Sequence, residues 1–208
     1  MGEKLVQGKT ALRDGIFDIV CTMDLVLFGI QGSGKGTQAR KIAAEFGYDI
    51  FETGAELRRL IASGSDLGKT AASYMDQGNL VPLSLVMQVV KEAVLARPKD
   101  QKILFDGIPR DAEQMYAFNV MMEEVSRPFR CLHILLDDSE ALKRIIGRAK
   151  VEGRIDDSDE AYIRRRMEIF REKTLPVIEE YRRQGTLVDV DGKGTVEEVY
   201  GRVKKAVS

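Results

Sequence analysis

GIQGSGKGTQ, residues 29–38, directly follows the apolar run Leu25-Val26-Leu27-Phe28. A buried strand, a glycine-rich turn and then a helix is the order in which backbone N–H groups converge on a polyphosphate. Gly29, Gly32 and Gly34 let the backbone approach closely, and Lys35 supplies a point charge to the outer phosphates. The spacing from Gly29 to Gly34-Lys35 fits a P-loop with one departure: Gly36 holds the usual Ser/Thr position and Thr37 follows. Gly29, Gly32, Ser33, Gly34, Lys35, Gly36 and Thr37 are therefore the candidate cradle for a nucleoside triphosphate.

Outward from this stretch, apolar runs alternate with helical segments: Leu25 to Phe28, a weak Tyr48 to Phe51, Ile103 to Phe105, Leu132 to Leu136, and Leu187 to Val190. The runs are short and mostly continuous, as parallel strands covered on both faces require. Their order predicts a doubly wound α/β fold, a five-stranded parallel sheet flanked by helices. Gly29, Asp106, Asp137 and Asp191 follow the runs, and ligands in such folds bind beyond the carboxyl ends of strands. Between Thr53 and Arg97 there is no strand run. That stretch reads as helical, with turns at Ser63-Gly64-Ser65 and Gly78-Asn79 and with Pro82 opening the last helix. It predicts a small helical insertion over the sheet edge. A second, shorter interruption spans residues 149–157.

The 208-residue chain fits one domain, and 44% hydrophobic content supplies a core. No apolar stretch approaches the ~20 residues that span a bilayer, so no membrane partner is expected. A net charge of −1 excludes a global basic field for nucleic acid, and any basic site must be built locally. Cys21 and Cys131 show no metal-ligand spacing, which reads as a reduced cytoplasmic protein. Residues 1–22 are polar and broken by Gly2, Gly8 and Gly15, with no secretory core, and their acidic residues oppose a transit peptide. They read as an appendage ahead of a domain spanning residues 23–208. His133, the single histidine, lies inside an apolar strand and reads as a satisfied core residue, with Cys131 as small core filler.

The segment Ile103-Leu104-Phe105-Asp106-Gly107-Ile108-Pro109-Arg110 carries the second chemical signal. An acidic group at a strand end beside a P-loop can hold magnesium, usually through water. Arg110 then emerges from a Gly/Pro turn, where it can grip a second anion.

GIQGSGKGTQ, Thr53-Gly54 with Leu57-Arg58, DGIPR with Gln114 four positions on, and Arg154-Ile155-Asp156-Asp157 together resemble the adenylate kinases in order and spacing. The resemblance covers about residues 24–208, and DGIPRDAEQ is far more specific to this nucleoside monophosphate kinase family than the P-loop alone. It implies the P-loop NTPase fold, a helical monophosphate-binding lobe at about 53–82 and a short lid at about 149–157. The implied reaction is ATP plus AMP giving two ADP, with magnesium accompanying ATP, in a monomer. The family match places Thr53, Gly54, Arg58, Val81, Gly107, Arg110, Gln114, Arg154 and Arg166 at the AMP site. Arg144 and Arg148, stacked i, i+4 on one stripe, are implied to cover the ATP adenine and to reach its phosphates. Lys35, Arg110, Arg148, Arg154 and Arg166 are the implied catalytic set. Asp106 would hold magnesium through water, with Thr37 as a further oxygen donor. The lid segment carries no cysteine, which excludes a zinc-bearing lid.

One extra residue after Asp157 leaves two ways to count. Counting forward selects Arg165, and counting back from Met167-Glu168 selects Arg166. Ile163, Met167 and Phe170 mark the inward face, Arg166 lies on its edge, and Arg164 and Arg165 turn to solvent, which selects Arg166. By the same phase, Leu57, Leu60 and Ile61 are inward, Arg58 borders them, and Arg59 points away.

Relatives that prefer UMP and CMP tend to carry Ala at the Thr53 position and Asn at the Gln114 position, so this chain leans towards AMP. Gln31 stands where the family usually has Pro, Ala55 where Asp is frequent, and Ile108 where Phe is common. Three alternatives stay open: a UMP/CMP or broad-specificity monophosphate kinase, a P-loop hydrolase or switch, and a weakly catalytic nucleotide-binding scaffold. The arginine-rich short lid, the DGIPR segment and the absence of NKxD oppose the second.

Overall fold

Strand β1 (Asp24–Phe28) is buried along its whole length, and its side chains divide by parity between two cores. In a computed structural model describing residues 23–152 and 159–207, it is the middle strand of a parallel sheet. The other strands are β2 (Asp49–Glu52), β3 (Ile103–Asp106), β4 (Phe129–Leu135) and β5 (Leu187–Asp191). Their order is β2-β3-β1-β4-β5, and every pairing is parallel. The predicted five-stranded α/β sheet is thus the architecture found. Val26 and Phe28 join Phe51, Ile103, Phe105 and Cys131 on one face, whereas Leu25 and Leu27 join Leu104, Leu132 and Val190 on the other. Because neighbouring side chains alternate faces and both faces are covered, a central strand reads as a continuous apolar run.

The helices supply the matching stripes. α1 (Lys35–Phe46) and the C-terminal Val196–Val207 cover one face through Ala39, Ile42, Val199, Val203 and Val207. α2 (Thr53–Ala62), α3 (Asp66–Met75) and α4 (Leu83–Leu95) form the predicted helical insertion and its continuation. Ser65 caps α3 by accepting from the Gly68 N–H at 3.1 Å, and Pro82 sits in the cap position of α4. α4 and α5 (Ala112–Glu124) cover the other face together with Leu175–Arg183. Those two C-terminal helices are α8 (Leu175–Arg183) and α9 (Val196–Val207). Between α5 and α8 lie α6 (Asp138–Glu152) and α7 (Glu160–Ile169), which close a third cluster of Ile30, Ala141, Ile145, Ile163 and Met167 against the P-loop. A π-helical turn, Phe170–Thr174, joins α7 to α8. Helix α6 continues through Glu152, into the span read as the lid, and residues 153–158, including Arg154 to Asp157, lie outside the described residues.

Strand boundaries differ from expectation: β1, β3 and β5 each gain one residue, Asp24, Asp106 and Asp191, and β4 and β2 are shifted. β4 begins at Phe129 and ends at Leu135, so Leu136 falls outside it. The early start comes from pairing, Asp24 opposite Phe129 and Leu25 opposite Arg130, with the exposed Arg130 interrupting the apolar pattern. β2, the edge strand, extends to Glu52, in register with Asp106.

The amino ends of these strands carry a buried ion pair. Asp24 Oδ2 accepts from Arg127 Nε at 2.7 Å, and Asp24 Oδ1 accepts from Arg127 Nη2 at 2.8 Å and from the Ile103 N–H at 2.7 Å. Arg127 also donates to the carbonyls of Pro98, Lys99 and Gln101. Removing one partner of such a pair leaves an uncompensated buried charge. Arg127→Met is therefore expected to reduce unfolding free energy by about 3–5 kcal/mol. Equilibrium urea unfolding measures this, and a loss below ~1 kcal/mol would place the pair among weak surface bridges.

Candidate active site

The P-loop follows β1 as the sequence predicts. Gly29 has φ 152°, and a Cβ there would lie 2.6 Å from Ser33 Oγ and 2.9 Å from the Ile134 carbonyl oxygen. Gly32 has φ 83°, and its Cβ would meet the Ala141 carbonyl oxygen at 2.6 Å. At both positions the loop is pressed against protein backbone, so only glycine fits. Gly34 caps α1 in a left-handed conformation, and Lys35 opens the helix. Lys35 Nζ donates to the carbonyls of Gly29 at 2.7 Å and Ile30 at 3.2 Å. The ammonium is thereby held across the loop, where an anion's oxygens would replace the carbonyls. Ser33 is buried behind the loop, and its hydroxyl is without a hydrogen-bond partner among the described residues.

A cavity of about 260 Å³ opens beyond the carboxyl ends of β1, β2 and β3. Gly29, Gly32, Gly34, Lys35, Gly36 and Thr37 line one side, and Asp106, Gly107 and Arg110 another. Gly54, Arg58 and Arg166 complete the candidate residues on its wall. A smaller cavity of about 60 Å³ adjoins it, lined by Thr53, Val81, Gln114 and Tyr162. Gly54, Arg58, Gly107, Arg110 and Arg166 line both cavities, so three guanidinium groups stand at the partition. Thr53 is 3% exposed, and its hydroxyl has no hydrogen-bond partner among the described residues. A buried, orphaned hydroxyl on a cavity wall is a group that a ligand can satisfy.

The DGIPR turn holds Arg110 tightly. Its backbone N–H donates to Gln114 Oε1 at 2.9 Å, and its Nε–H donates to the Gly107 carbonyl at 2.8 Å. Gln114 is itself 2% exposed, because it belongs to the first turn of α5, which Asp111 caps at 2.8 Å. Burial pushes the Arg110 guanidinium down to about 10, and the neighbouring Arg166 adds to that push while Asp106 opposes it. It remains charged at neutral pH. Burial likewise pushes the Asp106 carboxyl up, with Lys35 pulling it back and Glu52 adding to the rise. Glu52 also accepts from Arg58 Nη2 at 3.1 Å, across an exposed pair.

The helical phases hold. Arg166 is half-buried on the cavity wall with its guanidinium 5.6 Å from the Tyr162 ring centre, whereas Arg164 and Arg165 are exposed. Arg58 is exposed but reaches both cavities, and Arg59 points away to pair with Glu56 at 2.8 Å. Arg144 is not among the residues lining the two cavities. It bonds Glu140 at 3.0 Å and the Gly192 carbonyl at 3.3 Å, beside the end of β5. Arg148 belongs to α6, but its side chain, like all of Arg154, is outside the described residues.

His133 is 5% exposed, with Nδ1 2.9 Å from Asp189 Oδ1. Burial pushes its imidazole down, with the Asp189 hydrogen bond opposing, so a neutral ring donates from Nδ1. Cys131 is buried beside it and its thiol is pushed up by desolvation, an inert state. Neither lines either of these two cavities. The sequence reading missed Glu52, Tyr162 and Thr174. Glu52 had a usable signal, since it directly precedes Thr53-Gly54 at the end of a weak strand.

A sequence pattern described as "Adenylate kinase" matches residues 27–186. The adenylate kinase of Thermus thermophilus is 38% identical over 184 residues, covering 88% of this chain and 96% of that one. The adenylate kinase of Parabacteroides distasonis is 35% identical over 187 residues, covering 89% and 98%. That of Stenotrophomonas maltophilia is 38% identical over 186 residues, covering 89% and 99%. With a P-loop cavity and a second pocket sharing a wall of arginines, and with relatives matched along nearly their whole length, the chain belongs to the adenylate kinase family of phosphotransferases.

Proposed function

We propose that the chain transfers the terminal phosphoryl group of ATP reversibly to AMP, giving two ADP, with ATP in the larger cavity and AMP in the smaller. The observation that carries this is the shared partition. Arg58, Arg110 and Arg166 line both cavities, where a phosphoryl group passing from one nucleotide to the other must lie. Such transfer needs alignment and charge neutralisation more than a proton-transferring side chain. Lys35 and the P-loop N–H groups hold the donor phosphates, Arg58 and Arg110 clamp the acceptor phosphate, and Arg166 neutralises charge on the group in flight. Arg148 and Arg154 complete the cationic set, and Arg144 covers the donor adenine. Gln114 spends one lone pair of Oε1 on the Arg110 N–H, which leaves its Nε2 donor and the remaining lone pair for the acceptor base. Thr53 offers its unpaired hydroxyl to the same nucleotide, with Val81 and the backbone of Gly54 and Gly107 closing the pocket.

Magnesium fits the donor set. Asp106 is a hard oxygen ligand at a strand end, its carboxyl pushed up by burial, and a divalent cation would restore its charge. Asp106 through water, with Thr37 as a further oxygen donor, would hold the ion, which supplies neutralisation of the donor phosphates when bound. The helical segment at about 53–82 serves as the monophosphate-binding lobe and residues at about 149–157 as a short lid, closing to exclude water. Residues 1–22 stand outside this catalytic unit. The chain acts as a monomer, since residues of one chain line both cavities, and in the reducing cytoplasm, since its two cysteines show no metal-ligand spacing.

A coupled assay of ATP with AMP, CMP, UMP or GMP tests the reading. AMP is expected to exceed each other acceptor by at least ~100-fold in kcat/KM, since the analogues leave buried polar groups unpaired. Equal use of CMP or UMP would replace it with a broad monophosphate kinase. ATP hydrolysis without an acceptor, or no turnover with any, would overturn it.

A further inference from the structure

Thr174 is 6% exposed and lies in the π-helical turn between α7 and α8. A threonine within a helix ordinarily returns its hydroxyl proton to a carbonyl one turn back. Thr174 Oγ1 instead donates to the Arg110 backbone carbonyl at 2.8 Å, across 64 positions of sequence. The local chain explains how it is free to do so. Pro176, in the first turn of α8, has no N–H, so the regular ladder cannot run through this segment. The Leu175 N–H bonds back to the Phe170 carbonyl, giving the wider π turn. Such turns occur frequently at functional sites.

The contact joins two pieces of the cavity wall. Among the described residues, the other hydrogen bonds of Arg110 are made to Gln114 and Gly107, close by in sequence. The π turn, by contrast, continues directly from the helix that bears Arg166. Two guanidinium groups facing one cavity repel each other, and a wall made of independent segments would let them separate. We propose that Thr174 is a positioning residue, its hydroxyl tying the Arg110 loop to the Arg166 helix so that the two guanidinium groups keep the spacing of one phosphate. This role presupposes the acceptor-site reading of Arg110 and Arg166 given above.

Thr174→Val and Thr174→Ser, compared with the parent full-length enzyme, test it through KM for AMP, KM for ATP, kcat and the thermal midpoint. The valine variant loses the donor and is expected to raise KM for AMP and lower kcat, each by about 10-fold, while KM for ATP stays within about 2-fold. The serine variant keeps the donor and is expected to stay within about 2-fold of the parent in every constant. Should the valine variant fold poorly, Thr174→Ala removes the same hydroxyl without setting a methyl against the carbonyl, and the same constants are read. Parent-like AMP constants in the hydroxyl-free variants, equal damage in serine and valine, or equal shifts in both KM values would overturn the proposal. Arg110→Ala run in parallel separates the two layers. If it leaves KM for AMP unchanged, the acceptor-site reading fails. If it abolishes AMP use while loss of the Thr174 hydroxyl is silent, only the positioning role fails.

Discussion

An Arg166→Ala enzyme is expected to turn over at least ~100-fold more slowly than the parent while remaining folded, the loss typical of one preorganised donor aimed at developing charge. Arg166 suits that task because it is half-buried on the wall shared by both cavities, next to Arg110. Its guanidinium rests 5.6 Å from the Tyr162 ring centre, a contact that helps hold a planar cation in place. Folding should survive, since Ile163 and Met167 on the same helix, not Arg166, fill the core. The control is Arg165→Ala. Arg165 is exposed and, among the described residues, reaches Asn79 Oδ1 at 3.4 Å and Glu168 at 3.7 Å, so turnover is expected to stay within about 2-fold. Saturating steady-state kinetics on both variants decides between the two ways of counting along this helix. A large loss in Arg165→Ala with little in Arg166→Ala would reverse the assignment.

The second large effect is expected at Lys35. Lys35→Ala should lower kcat by about 100- to 1,000-fold, because the charge that neutralises donor phosphates disappears from a low-dielectric site. The carbonyls of Gly29 and Ile30 that now hold Nζ would lose their partner, but both bonds are only part-buried, so water can replace the ammonium and fold stability should change little. Lys35→Arg is expected to recover less than about a tenth of the lost activity. A planar fork does not reproduce a compact point charge inside a loop whose glycines already touch backbone atoms. Kinetics and a urea midpoint on the same samples test this, and parent-like turnover in either variant would remove Lys35 from the mechanism.

Central strands were legible in the sequence because their physics is one-dimensional. Leu25 to Phe28 and Ile103 to Phe105 are covered on both faces, so burial writes itself as an unbroken apolar run. The edge strand β2 was faint because Asp49 is exposed and Glu52 is only half-buried. β4 was misframed at both ends, because hydrogen-bonded register with β1, not composition, recruits Phe129 and Arg130. Most of the site could be read for a similar reason. The P-loop and DGIPR are local segments whose backbone shapes demand particular residues at fixed spacing. Side chains paired across long sequence gaps were not legible. Nothing near Asp24 announces Arg127, 103 positions away, and nothing near Arg110 announces Thr174. Glu52 stands between these cases, since its neighbours were recognised but its place opposite Asp106 needed the sheet register.

The ion pair of Asp24 and Arg127 sits at the start of β1, and the phosphate loop leaves from its end. Five residues of extended chain put about 17 Å between them, with an apolar strand in between. Sites so far apart and without shared partners contribute nearly independently. A lineage moving to a hotter or colder habitat can therefore retune the anchoring end, strengthening or loosening its carbonyl and carboxylate contacts, while the catalytic end keeps its geometry. Thermal adaptation in this chain has its own address, at the opposite end of the strand from the chemistry.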